Sequence, residues 1–149
     1  MSETDLIKLY SGRILELAAD IPHLGRLTAP QASATRRSTQ CGSTVTVDLC
    51  AEGGTVTAFA QDVHACALGQ AAASVVGRAI IGASRAQILT GRDQLAAMLA
   101  EDGPPPEAPF DALEVLLPAR AFKNRHQSIL LSLNASVDAL SEIDKSATA

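Results

Sequence analysis

Between residues 44 and 62 the sequence alternates two kinds of side chain, with one interruption. Val45, Val47 and Leu49 fall on one side of an extended chain, and Thr44, Thr46 and Asp48 on the other. A period of two marks a half-buried strand, because successive side chains of a strand point to opposite faces. Glu52-Gly53-Gly54 then reads as a hairpin turn, since glycine takes the positive φ angles such turns require. Val56, Ala58, Ala60 and Asp62 continue as the partner strand. Upstream, Ala34 to Gln40 is rich in Ser and Thr and reads as a half-exposed strand that stops at Cys41-Gly42. Three antiparallel strands are the economical reading.

The strand pattern ends at His64-Ala65-Cys66. Ala67 to Ile81 is rich in Ala and helical, with Leu68, Ala72, Val75, Val76 and Ala79 on one face. Its small residues would let it lie close to the sheet, and Gly82-Ala83 ends it. A second helix follows from Ser84 to Ala100, carrying Ile88, Leu95, Met98 and Leu99. Before the sheet, Leu6, Ile7, Tyr10, Ile14 and Leu17 mark a helix that must stop ahead of Pro22. Gly103 to Pro106 is a stiff linker. Phe110 to Leu117 reads as a short helix ended by Pro118. Ile129, Leu133, Val137 and Leu140 mark a last helix, Ser128 to Ile143, with a frayed polar tail from Asp144. Neither an internal repeat nor a domain boundary is visible, so residues 1–149 read as one domain.

Composition narrows the function. The chain is 47% hydrophobic and 19% charged, as a globular protein is. Its net charge is −4 and its one basic cluster is Arg36-Arg37, which argues against a nucleic-acid surface. No apolar run approaches the ~20 residues that span a bilayer. The start, Met1-Ser-Glu-Thr-Asp, is acidic, unlike a secretory signal. A cytoplasmic protein is the expectation. In that reducing compartment three cysteines point to metal or thiol chemistry rather than to disulfides.

Three chemically able side chains fall at the ends of elements, where ligands converge. Cys41 lies in Gln40-Cys41-Gly42-Ser43, between two strand-like segments. Cys66 stands where the third strand gives way to the Ala-rich helix, and exposed amides there favour a thiolate. His126 lies immediately before the last helix. Cys41, Cys66 and His126 together form a candidate thiolate and imidazole metal site. Cys50, at a strand end, is assigned to packing. His64 is read as a neighbour of Cys66, and His23 as a surface residue.

These segments resemble the iron–sulfur scaffold family of IscU, SufU and the N-terminal domain of NifU. Where that family has Ala-Cys-Gly-Asp, this chain has Gln40-Cys41-Gly42-Ser43. Where it has a Gly-Cys or Ala-Cys step into a small-residue helix, this chain has Ala65-Cys66-Ala67-Leu68-Gly69. Where the IscU branch has His-Cys-Ser-Ile-Leu, this chain reads His126-Gln127-Ser128-Ile129-Leu130. The resemblance implies an α+β fold: a three-stranded antiparallel sheet covered on one face by helices, with the ligand loops at one end. The reading by periodicity agrees.

The resemblance further implies that Cys41, Cys66 and His126 hold iron or a [2Fe–2S] cluster. The implied partners are a cysteine desulfurase, cluster-accepting apoproteins and a chaperone, which in the family reads Leu-Pro-Pro-Val-Lys; the matching run is Leu117-Pro118-Ala119-Arg120. Gln127 stands in place of the third cysteine and Ser43 in place of the aspartate. The leading expectation is a cluster scaffold or carrier. The alternative is a regulatory relative that binds zinc and builds no cluster. An enzyme using Cys66 and His126 lacks an acid to orient the imidazole, so no catalytic activity is expected.

Overall fold

The computed structural model describes residues 11–148 of the 149. Three strands, β1 (Ala32–Arg37), β2 (Thr44–Glu52) and β3 (Thr55–His64), form one antiparallel sheet in the order β1-β2-β3. The helices are α1 (Gly12–Ala19), α2 (Ala67–Ala79), α3 (Arg85–Ala100) and α4 (His126–Thr148), with 3-10 turns over Asp111–Ala121 and Lys123–Arg125. The α+β class and the three-stranded antiparallel sheet match the sequence reading. Leu6, Ile7 and Tyr10, assigned to the first helix, lie outside the described residues.

Register follows from the alternation. Val47 of β2 is opposite Ala34 of β1 and Gln61 of β3, and Leu49 is opposite Ala32 and Phe59. Opposite residues share a face, so this row looks onto the helices and forms the core with Leu68 and Val75 of α2 and Ile129 and Leu133 of α4. Gly53 and Gly54 take φ of 60° and 82° in the hairpin, as expected. A bulge pairs Cys50 with Ala58 but Ala51 with Val56, leaving Thr57 as the extra residue. Val56 is therefore turned into the core rather than sharing a side with Ala58.

Helix α2 is buried nearly all round, from Leu68 through Gly77. Such a helix must be apolar on every side and slim where neighbours press. A Cβ on Gly77 would come within 2.9 Å of the Gln61 amide nitrogen and 3.0 Å of Pro22 Cγ. Gln61 is fully buried among apolar residues, yet fully used: its Nε2 donates to the Ala73 carbonyl at 2.8 Å and its Oε1 accepts the Ser132 hydroxyl at 2.9 Å. That satisfies a buried amide that would otherwise be costly.

Several boundaries differ from the periodicity reading, each for a local reason. The Ser84 hydroxyl accepts the Gln87 amide while the Gln87 side chain accepts the Ser84 amide, a capping box that fixes the start of α3. Pro118 does not end the segment it sits in, because the turn is 3-10 and runs on to Ala121. The last helix starts at His126 and continues through Asp144 to Thr148, with Arg85 paired to Asp144 at 2.6 Å. Among the described residues no helix is long and apolar enough to cross a membrane.

The alternation places Asp48 on the polar face of the sheet, and there the structure buries it completely. Arg26 donates to both its oxygens at 2.7 and 3.0 Å, the Leu27 amide donates at 3.0 Å and the Ser33 hydroxyl at 2.5 Å. The irregular segment before β1 is thereby pinned over the sheet. The Arg26 hydrogen bonds hold the Asp48 carboxyl below its ordinary pKa. A carboxylate whose pKa is depressed in the folded state contributes stability above its unfolded value of about 3.9, and that stability is lost as pH falls through the lower folded value. Urea unfolding of Asp48→Asn should accordingly show a lower midpoint than wild type at pH 7 and a smaller further loss on going to pH 3. Parallel pH dependence of the two proteins would refute the assignment.

Candidate metal centre

Cys41 is carried by a tight loop between β1 and β2. The Ser38 amide donates to the Ser43 carbonyl at 2.8 Å and the Gly42 amide to the Ser38 carbonyl at 3.0 Å. Gly42 sits at φ 73°, a conformation open to glycine at no steric cost. The loop leaves Cys41 exposed above two buried serines, Ser38 and Ser43. Cys66 occupies the N-cap of α2 as the sequence predicts, with extended backbone angles and its carbonyl accepting the Gln70 amide at 2.9 Å. Its side chain caps nothing and is left for other contacts.

Two hydroxyls join the thiols. Cys41 Sγ lies 3.1 Å from Ser43 Oγ, the Ser128 hydroxyl donates to Ser43 Oγ at 3.1 Å, and Cys66 Sγ lies 3.5 Å from Ser128 Oγ. Ser128 belongs to the first turn of α4, so the chain of contacts crosses from the β1–β2 loop through α4 to the head of α2. Gly69, one turn into α2, makes room: a Cβ there would meet Ser128 Oγ at 2.6 Å and Ala65 Cβ at 2.8 Å.

Hydrogen bonding with Ser38, and then with Ser43, lowers the Cys41 thiol to a pKa of about 7. The hydroxyl arrangement explains how. Ser43 Oγ accepts the Ser128 hydroxyl, so its own proton is left for the Cys41 sulfur. Ser38 has one proton; against the thiol it donates to Gln127 Oε1 at 3.3 Å and accepts from Cys41 at 3.5 Å. When the thiol ionises, that proton can turn to the sulfur.

His126 opens α4 two residues before Ser128, and its ring is held against backbone carbonyls. Nε2 lies 3.1 Å from the carbonyls of both Ala119 and Arg120. Carbonyl oxygens only accept, so Nε2 carries the proton and the lone pair of the neutral ring lies on Nδ1. Donation from one ring nitrogen to a backbone carbonyl is how metal-binding histidines are oriented through the other. Among the described residues no three His, Cys, Asp or Glu stand together closely enough to hold a metal ion. Cys41 and Cys66 are thus brought together, while His126 is adjacent and separately held.

The remaining candidates lie apart. His64 is exposed, 3.1 Å from Asp62 Oδ1. His23 is a surface residue whose ring meets Phe59 edge-on at 6.4 Å. Cys50 is half-buried at the bulge and donates to the Ala29 carbonyl at 3.6 Å. Arg120, in the run compared with the chaperone motif, directs its guanidinium to the carbonyls of Met98 at 2.7 Å and Gly103 at 2.9 Å. Sequence reasoning did not find Ser38 and Ser128. Ser128 stands in the run compared with the family's His-Cys-Ser-Ile-Leu, whereas nothing in spacing separates Ser38 from the other serines.

Among solved structures, the N-terminal part of a nitrogen-fixing NifU-like protein from Brucella abortus superposes with a TM-score of 0.93. It is 43% identical to this chain, over 95% of this chain and 98% of that one. The chain belongs to the NifU-like N-terminal family. A solved SufU protein from Fervidobacterium islandicum AW-1 shares the fold at a TM-score of 0.77. It is 19% identical, over 90% of this chain and 98% of that one. No family model and no curated protein matches the chain. In this NifU-like chain Ser43 presents a buried hydroxyl to Cys41, and Gln127 presents its carboxamide oxygen to the Cys41 loop. The two thiols that remain are soft donors suited to iron–sulfur clusters and zinc.

Two measurements check this geometry. Alkylation of Cys41 by iodoacetamide should reach half its limiting rate near pH 7, and Ser43→Ala should move that midpoint upward because a donor to the thiolate is gone; an unmoved midpoint would count against the hydroxyl chain. Gly69→Ala, which in an open helix would be neutral or stabilising, should cost about 1–3 kcal/mol in denaturant unfolding because α2 and α4 have no space for the added methyl.

Proposed function

We propose that this chain is an iron–sulfur cluster assembly scaffold or carrier whose cargo is iron or a [2Fe–2S] cluster. Cys41 and Cys66 would bind the cargo as thiolates and His126 through Nδ1, reached by a local adjustment of the first turn of α4. One observation carries the reading: two thiols from separate loops converge on a single pair of buried hydroxyls at one end of a NifU-like fold. The solved relatives' descriptions, nitrogen-fixing NifU-like protein and SUF-system scaffold, point the same way. The chain acts as one domain in the cytoplasm. It receives sulfur from a cysteine desulfurase and passes clusters to apoproteins, with no catalysis of its own.

Gln127 favours a second reading. With its carboxamide oxygen occupied by the Cys41 loop, the site has two thiolates and one imidazole, which also suits a tetrahedral zinc ion with an open fourth position. The chain would then be a regulatory relative that builds no cluster.

Anaerobic reconstitution with iron and sulfide separates the two. The scaffold reading expects bound iron and visible absorption, both abolished in Cys66→Ser. A colourless product without iron would sink it, and stoichiometric zinc in protein purified under air would then support the regulatory reading.

A further inference from the structure

Gln127 joins the first turn of α4 to the Cys41 loop. Its Oε1 accepts the Thr39 amide at 2.9 Å, the Thr39 hydroxyl at 3.0 Å and the Ser38 hydroxyl at 3.3 Å. All three donors lie in the loop that carries Cys41. Ser38, fully buried, organises that loop: its amide and carbonyl close the turn onto Ser43 and Gly42, and its Oγ accepts the Gln40 amide at 3.3 Å and the Cys41 thiol at 3.5 Å. Thr39, Gln40, Cys41 and Gly42 are all exposed, so packing does little to hold them. The side chain of Gln127 ties this exposed turn to the first turn of α4.

We infer that Gln127 is a positioning residue for Cys41, a latch from α4 that sets the Cys41 loop in its metal-ready shape before any metal is bound. In a site with a third thiolate at this position, α4 and the loop would be joined through the metal itself. Here the join is a set of hydrogen bonds and forms on folding. The entropy of ordering the loop is then lost at that stage and not at metal binding. Two thiolates and an imidazole can so retain affinity that a loose loop would forfeit. The metal part of this inference rests on the proposed function; the latch itself does not.

The test uses the metal-free full chain as wild type, Gln127→Ala and Gln127→Glu. Amide exchange at Thr39 reads the latch, and cobalt(II) affinity, followed by thiolate-to-cobalt absorption, reads the site. Gln127→Ala should speed Thr39 exchange about five- to tenfold, the scale of one net hydrogen bond, and weaken cobalt binding by a similar factor, with unfolding still cooperative and its midpoint lowered by no more than that one hydrogen bond. Gln127→Glu retains an acceptor oxygen and should keep Thr39 protected; its added charge draws a cation by itself, so exchange is its readout. Wild-type protection of Thr39 in Gln127→Ala would overturn the latch. Faster exchange with wild-type cobalt affinity would overturn the positioning role. If wild type binds no cobalt, the positioning role falls with the proposed function, and Thr39 exchange alone decides the latch.

Discussion

The contact between α2 and α4 at Gly69 and Ser128 is the constraint on which the candidate site depends. The two helices cover the same face of the sheet, and α2 is enclosed on nearly every side. It can be so only because Gly69 and Gly77 leave no side chain where Ser128, Gln61 and Pro22 press in. Close approach at Gly69 brings the head of α2, with Cys66, to the first turn of α4, with His126, Gln127 and Ser128. The β1–β2 loop then has to meet that same turn, because α4 lies across β1 and β2 and Arg36 of β1 pairs with Asp138 of α4.

The polar groups at this meeting point are arranged as a connected set. Ser43 and Ser128 link the two sulfurs, and Gln127 links Ser38 and Thr39. Among the described residues no buried side-chain nitrogen or oxygen lacks a partner. A hydroxyl both donates and accepts, so it can sit beside a thiol or a thiolate without a stranded group in either state. An aspartate in place of Ser43 would bring a charge against the Cys41 sulfur. A neutral serine instead favours ionisation of Cys41, and Gln127 accepts hydrogen bonds from the Cys41 loop.

Much of the fold was legible. The alternation at Val45, Val47 and Leu49, the Gly53-Gly54 turn and the Ala-rich run after Cys66 each report a local backbone requirement, and each appears where expected. The misses are informative in the same terms. Asp48 alternates as a surface residue but is buried, because Arg26 and Leu27 fold over it from a segment with no periodicity of its own. Pro118 was read as a stop, which holds for an α-helix and not for the 3-10 turn that contains it. Val56 changed faces through a bulge that two strands make together.

Taken alone, the sequence determined the sheet, the helix order and the chemical identity of the candidate ligands, because periodicity, turn residues and cysteine chemistry act over a few neighbouring positions. It also located Cys41, Cys66 and His126 at the ends of elements. Which of them meet follows from the packing of segments far apart in the chain. Cys41 and Cys66 converge through Ser43 and Ser128, His126 turns its Nε2 to the carbonyls of Ala119 and Arg120, and Gln127 fastens the Cys41 loop. Those relations depend on how closely α2, α4 and the sheet approach. That approach is a property of packed surfaces, and residues distant in the chain set it together.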